Sequence, residues 1–556
     1  MIPLVCGDPA QDQKPASYTR FILPFAYSPT LCGERQGLYV YKPSPPADIW
    51  RRNYLTAETA AVLFGRARWL ELKGTEPPPG HIRRKAKTIT VRVEPPRLVL
   101  FEWPAQPDVQ AQDGPSDPLQ IGFLIVEASF PLQQEPPDLD DLLAFNEKFR
   151  YWQRPYERHE DIAGYRDFLA RHPSNIQGPS RLVRDAELSE IYFGRWASLL
   201  TFPIEDSAGK RWRLFPEAWE RQAQSWVESE QQLWDSGWIV YTDSRAFVWT
   251  CAIVEQGGKA LAEAFHTPTC EASAFGHWIK LLNVDEPGQT PDMTHKSTAF
   301  ERDWARKRTY HRWEEQGTFY GFNYHCGAML GPPLQTPPLW QHFGHMYFDQ
   351  TLLLLYLRVG SFSFSRQLSR ISAQVRDTTA ADEKAGFDKW RQAFEHLRWD
   401  FAMFTNLYEF PLLSNQQQGV EMYEKARENM DVGQLFREIQ EEIRSSHEYL
   451  EMQAGQEQTH MSTRLTVVAT VGLAIGLATS FLGMNIIVDK STGADRASEW
   501  GFFAISLVIF FFMLAFFISC TKYISPFFDW LTTLHLFDWL TTLHRSDSFQ
   551  DKGSKP

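Results

Sequence analysis

Hydrophobic positions change their spacing as the chain proceeds. Up to about residue 130 they form short runs of β-branched and aromatic residues, broken by Pro77-Pro78-Pro79 and Pro95-Pro96. Thr88–Val93, Arg97–Trp103 and Gln120–Phe130 are predicted as strands on that pattern. Asp138–Trp152 shifts to a helical period, with acidic residues at its start, where the helix dipole favours them. Trp238–Val254 predicts a hairpin turning at Asp243-Ser244-Arg245, and from about Thr298 the pattern is mostly helical. Within that part, Leu352–Leu357 is intensely apolar but is closed by Arg358. It is too short to span a bilayer and predicts a buried core helix over Tyr347–Val359.

Proline then disappears from Leu412 to Ser525. A proline inside a helix costs about 3 kcal/mol, so this gap permits long uninterrupted helix. Val432, Leu435, Ile439, Ile443 and Leu450 repeat at helical spacing, and Glu438, Glu441, Glu442 and Glu448 fall mostly on other faces. The expectation is a stalk helix from about Gly419 to Asn485, the alternative being a break near Ala454-Gly455. Two apolar runs follow, Leu465–Phe481 and Gly501–Cys520. Each, with its flanks, supplies roughly 20 residues without a charge, the length that spans the hydrocarbon core. The first is rich in small and hydroxylated residues, which let backbones approach and can face a polar lumen, whereas the second is Phe-rich and suited to lipid.

Composition narrows the function classes. The chain has 556 residues, 43% hydrophobic and 22% charged, with a formal charge of -12. That balance argues against a nucleic-acid surface. The six cysteines have no CxxC spacing, so neither a disulfide framework nor a zinc module is indicated, in keeping with a reducing compartment. No Gly-rich phosphate loop, G-x-S-x-G elbow or H-E-x-x-H helix is present, so no catalytic residue and no cofactor is expected. Glu135, Asp138, Asp140 and Asp141 cluster ahead of a helix and read as capping and solvated charge. His342 and His345 are a weak metal signal. The tail repeats FDWLTTLH at Phe528–His535 and Phe537–His544, a tandem duplication.

Phe481-Leu482-Gly483-Met484-Asn485, closing the first of two C-terminal apolar runs after a long helix, resembles the CorA superfamily of divalent-cation channels. Arg312–Gly317 and the Tyr347–Ile371 segment look like fungal CorA-like proteins more generally. The resemblance implies an α+β cytosolic domain, α/β/α-sandwich-like, then a long stalk helix and a C-terminal two-helix transmembrane hairpin. The corresponding divisions are a Pro-rich region (1–115), a cytosolic α/β then helical domain (116–410), the stalk (411–464), the pore module (465–520, spans 465–485 and 501–520) and the tail (521–556).

By the same resemblance the chain is a homopentamer in a lipid bilayer, multi-pass with both termini cytosolic, in the plasma membrane or vacuole. It admits Mg²⁺, driven by the membrane potential. Gly483, Met484 and Asn485 form the filter, with Asn485 holding the hydrated ion through its amide carbonyl. Gly476, Leu473, Ala469 and Leu465 share one helical stripe and correspond to the family's lumen-facing positions. Asp489, Asp495 and Glu499 in the following loop attract cations, although Lys490 and Arg496 nearly cancel them. The loop lacks the acidic segment of bacterial magnesium members. This leaves another ion such as Zn²⁺, or a non-conducting membrane-tethered sensor or scaffold, as alternatives.

Overall fold

The structure is a computed structural model. It describes residues 2–7, 16–27, 29–33, 38–41, 49–73, 80–84, 87–101, 120–150, 199–200, 202–206, 208–214, 245–255, 257–266, 273–285, 287, 298–333, 339–376, 383–483, 508 and 512. Chain contacts divide it into two compact units, Met1–Arg444 and Ser445–Pro556.

Among the described residues the first unit is built on one mixed sheet of 14 strands. In chain order these are β1 (Tyr18–Tyr27), β2 (Thr30–Cys32), β3 (Leu38–Tyr41), β4 (Arg68–Lys73), β5 (Gly80–Arg84), β6 (Lys87–Val93) and β7 (Arg97–Phe101). There follow β8 (Gln120–Ser129), β9 (Ile204–Glu205), β10 (Arg211–Arg213), β11 (Phe247–Ile253), β12 (Thr309–Trp313), β13 (Thr318–Phe322) and β14 (Cys326–Gly331). The spatial order is β12-β13-β14-β11-β1-β8-β7-β4-β3-β9-β10-β2, with the β5–β6 hairpin joined through β6 to β8.

β1 and β8 form the spine, antiparallel from Tyr18↔Ser129 to Tyr27↔Gln120. Gln-Ile-Gly-Phe-Leu-Ile-Val reads as a continuous apolar run because β8 is buried on both faces. Pro24 in β1 lies two residues past the last β11 pairing, Ile22↔Phe247.

Helices cover both faces. On one side lie α3 (Leu139–Phe149), α4 (Gly257–His266) and α5 (Ser273–Asn283), and their Leu142, Phe145, Leu261, Trp278 and Leu282 bury against Phe21, Leu124, Val126 and Leu330. A polar triad pins α3 to the sheet: Thr19 Oγ1 lies 2.8 Å from Asn146 Oδ1 and 2.9 Å from Thr250 Oγ1. The opposite face receives a π-helical turn (Phe343–Tyr347) and α8 (Phe348–Arg376), preceded in the chain by α6 (Thr298–Arg308) and α7 (Leu339–His342). There Trp249 stacks on Phe343 at 4.0 Å, and Phe101 stacks on Tyr356 at 4.2 Å. α9 (Glu383–Tyr408) packs on α8 through Phe364–Phe401 and Tyr356–Phe404. α10 (Gln417–Asn429) and α11 (Val432–Gly483) follow. The short helices α1 (Ile49–Tyr54) and α2 (Ala57–Ala61) lie between β3 and β4 in the chain.

Local expectations fare differently from long-range ones. The strands expected at Thr88–Val93, Arg97–Trp103 and Gln120–Phe130 fall in β6, β7 and β8, and Asp138 caps α3. The hairpin at Trp238–Val254 is replaced by a single described strand, β11; residues 215–244 lie outside the description. Both flanks of β11 are taken, antiparallel by β1 and parallel by β14, so that strand has no side left for a hairpin partner. The stretch after Thr298 is not mostly helical until Leu339, because β12, β13 and β14 intervene. The stalk breaks at Met430–Asp431, where Asp431 takes a left-handed φ of 55°, and it runs unbroken through Gly455.

The C-terminal expectation is corrected most. Among the described residues no helix is long and apolar enough to cross a membrane. The expected two-helix transmembrane hairpin is thus not shown by the described residues, and the multi-pass placement in the plasma membrane or vacuole, with both termini cytosolic, is not shown with it. α11 covers the first run as far as Gly483. Of the second run only Val508 and Phe512 are described; the rest of it, the loop and the tail repeat lie outside.

Candidate functional site

α11 carries the chain to Gly483, the first residue of the Gly-Met-Asn tripeptide. Its opening turns are anchored by Val432, Phe436, Ile439 and Ile443, all buried, with Phe436 stacked on Phe401 at 5.6 Å. Further along it is sustained from within. Gln434 bonds Glu438, Arg444 pairs with Glu441, and His447 Nε2 lies 3.0 Å from Glu451 Oε1, all at helical i,i+3 or i,i+4 spacing. Thr459, Thr463 and Thr466 each donate to the carbonyl four residues back, at 2.7–2.8 Å. The first of these acceptors is Gly455, so the position where a break was the alternative is instead bridged by the Thr459 hydroxyl.

Along the expected lumen-facing stripe, Leu465, Ala469 and Gly476 lie on α11 and are exposed; Leu473 is on the same helix. Met484 and Asn485, and the loop acids Asp489, Asp495 and Glu499, lie outside the described residues. Of the expected filter, Gly483 alone is among the described residues, on α11.

The acidic cluster before α3 resolves into a capping box. Asp138 accepts from the Asp141 amide and Asp141 accepts from the Asp138 amide, while Asp140 Oδ1 lies 2.9 Å from His277 Nε2. Glu135 is exposed. His342 ends α7, and its ring is held below the ordinary imidazole value by burial. His345 lies within the π-helical turn and adds positive potential at Glu127. No group of three or more His, Cys, Asp or Glu side chains is disposed to hold a metal among the described residues.

That turn closes over a buried ion cluster which sequence reasoning did not find. Glu127 Oε2 accepts from Arg20 Nε at 2.7 Å and from Arg97 Nη2 at 2.6 Å, and Arg20 Nη1 donates to the Gly344 carbonyl at 2.6 Å. Burial pushes the Glu127 carboxyl up, but Arg20 and Arg97 outweigh it and bring it down to about 2. Arg51 pairs with the fully buried Asp349 beside it. Three strands and one turn meet at a single carboxylate, and no local motif marks them.

Sequence reasoning also missed a cavity of about 300 Å³ lined by Arg150, Arg245, Arg308, His325, Asp285 and Asp431 among others. Its walls come from positions nearly 300 residues apart in the chain. Burial pulls the Arg308 guanidinium below its ordinary value, while Asp431 and Glu428 oppose that shift.

No family model, curated protein or solved structure matches this chain.

Proposed function

We propose that this chain serves divalent-cation transport as a homo-oligomeric protein of the CorA type, with Mg²⁺ as the first ion and Asn485 as the residue that meets it. The observation in support is the helix Val432–Gly483, which runs without interruption at Gly455 as far as the first residue of Gly-Met-Asn. Mg²⁺ takes oxygen ligands and sheds water reluctantly, so neutral amide and backbone carbonyls suit the hydrated ion and still let it leave. Entry of a divalent ion gains about 4.6 kcal/mol per 100 mV of inside-negative potential, so no nucleotide is needed.

A second reading, a sensor or scaffold of the same architecture that does not conduct, is favoured by the loop after Asn485, where Lys490 and Arg496 nearly cancel Asp489, Asp495 and Glu499. Both readings are tested by reconstituting the purified protein into vesicles with an imposed inside-negative potential. The transport reading expects Mg²⁺ uptake that Asn485→Ala lowers at least tenfold at equal assembly. Zn²⁺ uptake in place of Mg²⁺ would change the ion and keep the mechanism. Assembled wild-type protein that moves neither ion would leave the sensor reading in its place.

A further inference from the structure

The cavity of about 300 Å³ has a wall chemistry that transport of cations does not use. Arg245 stands two residues before β11 and His325 directly before β14. These strands are parallel, with Val248 opposite Cys326, so both side chains reach the same sheet edge. Around that edge gather the ends of four helices: Arg150 caps α3, Asn283 closes α5, Arg308 closes α6, and Asn429 closes α10.

Helix C-termini attract cations by themselves, and this accounts for two of the arginines. Arg150 Nη1 donates to the Asn283 carbonyl at 3.0 Å, and Arg308 Nη1 to the Trp304 carbonyl at 3.5 Å. Arg245 and His325 precede strands and do not close helices. A fourth guanidinium, Arg358, is buried behind this wall; it sits 3.3 Å from the Tyr324 ring centre and donates to the Tyr324 carbonyl at 2.6 Å. A smaller adjoining pocket shares Arg245, Tyr324 and His325 and adds Arg358. In a chain of formal charge -12, three guanidiniums among the described residues of the lining face two carboxylates, Asp285 and Asp431.

The walls are held in place. Asn323 Oδ1 accepts from the amides of His325 at 2.8 Å and Cys326 at 2.7 Å, while its Nδ2 donates to the Leu282 carbonyl at 2.6 Å. Asn429, more than nine-tenths buried, lines the cavity, and its Nδ2 has no hydrogen-bond partner in the protein. Backbone strain borders the cavity on two sides. Val284 (φ 57°) and Asp431 (φ 55°) are both left-handed without being glycine, and for a β-branched residue that is a real cost.

We propose that this cavity binds a small phosphate-bearing anion, with Arg245 as its main contact and Arg150, Arg308 and the Asn429 amide completing the cradle. Guanidinium matches phosphate oxygens through paired N–H donors, and Asn429 supplies a donor with nothing else to satisfy it. A divalent cation is disfavoured by the excess of arginine over carboxylate. The inference stands apart from cation transport, since neither the cavity nor its ligand uses α11.

The test is isothermal titration of the full-length protein with AMP and, separately, with inorganic phosphate at constant ionic strength. Wild type is expected to bind at least one probe saturably, one per chain. Arg245→Gln should weaken that binding at least tenfold, with Arg245→Lys intermediate and the melting temperatures of both variants near wild type. Binding of AMP alone assigns a phosphate ester, and binding of phosphate alone assigns the free ion; both support the site. Absence of saturable binding by either probe, or equal affinity in Arg245→Gln, overturns it. So would saturation by Mg²⁺ that Arg245→Gln leaves unchanged. If Arg245→Gln fails to fold, Arg308→Gln supplies the same comparison.

Discussion

Replacing Glu127 with Gln is expected to destabilise the sheet body by ~3–5 kcal/mol, the cost of leaving the buried Arg20 guanidinium uncompensated. Arg20 and Arg97 both donate to one Glu127 oxygen; Arg20 is buried, Glu127 largely so, and Arg97 partly exposed. Gln keeps the shape and one carbonyl acceptor but removes the charge that pairs with both cations. The measurement is urea unfolding followed by tryptophan fluorescence, since Trp249 lies fully buried in the same sheet. Replacing Arg20, Glu127 and Arg97 together by apolar residues of similar size should cost less than Glu127→Gln alone, because it removes the uncompensated charge along with its partner. A single substitution milder than the triple would contradict this account.

The same carboxylate gives a pH dependence whose sign follows from its shift. Its folded value, about 2, lies below the ordinary carboxylate value of 4.5. The stabilisation is therefore complete above about pH 4.5 and is lost as pH falls from there toward 2. Wild type should lose stability across that window, and Glu127→Gln should show a shallower loss.

The second large effect is expected at Trp249. Its ring stacks on Phe343 at 4.0 Å, meets Phe348 edge-on, and lies opposite Gly327 on β14. A β-carbon added at Gly327 would fall within the indole, so glycine at this register position makes room for tryptophan. Trp249→Ala should cost ~3–5 kcal/mol through lost burial and the cavity left behind. Gly327→Ala should cost ~1–3 kcal/mol by forcing the ring from its place. Since the methyl group added by Gly327→Ala occupies space the missing indole vacates, the double variant should be more stable than the summed single effects imply. Strict additivity in thermal unfolding would show that the two residues do not share that space.

Strands β6, β7 and β8 and helix α3 were legible because their signals are local: β-branched runs bounded by proline, and an aspartate cap before a helical period. The strands between Thr309 and Gly331 were not. β12 reads Thr-Tyr-His-Arg-Trp, continues directly from α6, and becomes a strand only by pairing with β13. The stalk break at Met430–Asp431 has neither glycine nor proline to announce it, whereas Gly455, which has the right residue for a break, is bridged by Thr459.

The candidate sites divide along the same line. Gly483-Met484-Asn485 is contiguous, so it was visible at once, and α11 includes its first residue. The ion cluster around Glu127 and the arginine-lined cavity draw on residues scattered from Arg20 to Asp431, with no spacing to detect. Residue order alone establishes the apolar runs, the proline-free stretch that permits a 52-residue helix, and the absence of recognisable catalytic motifs. Which strands become neighbours, where the stalk breaks and which charges are buried together are settled in three dimensions. The difference is one of range: capping, turn chemistry and helical period act within a few residues, whereas strand pairing and charge compensation depend on partners that folding alone brings into contact.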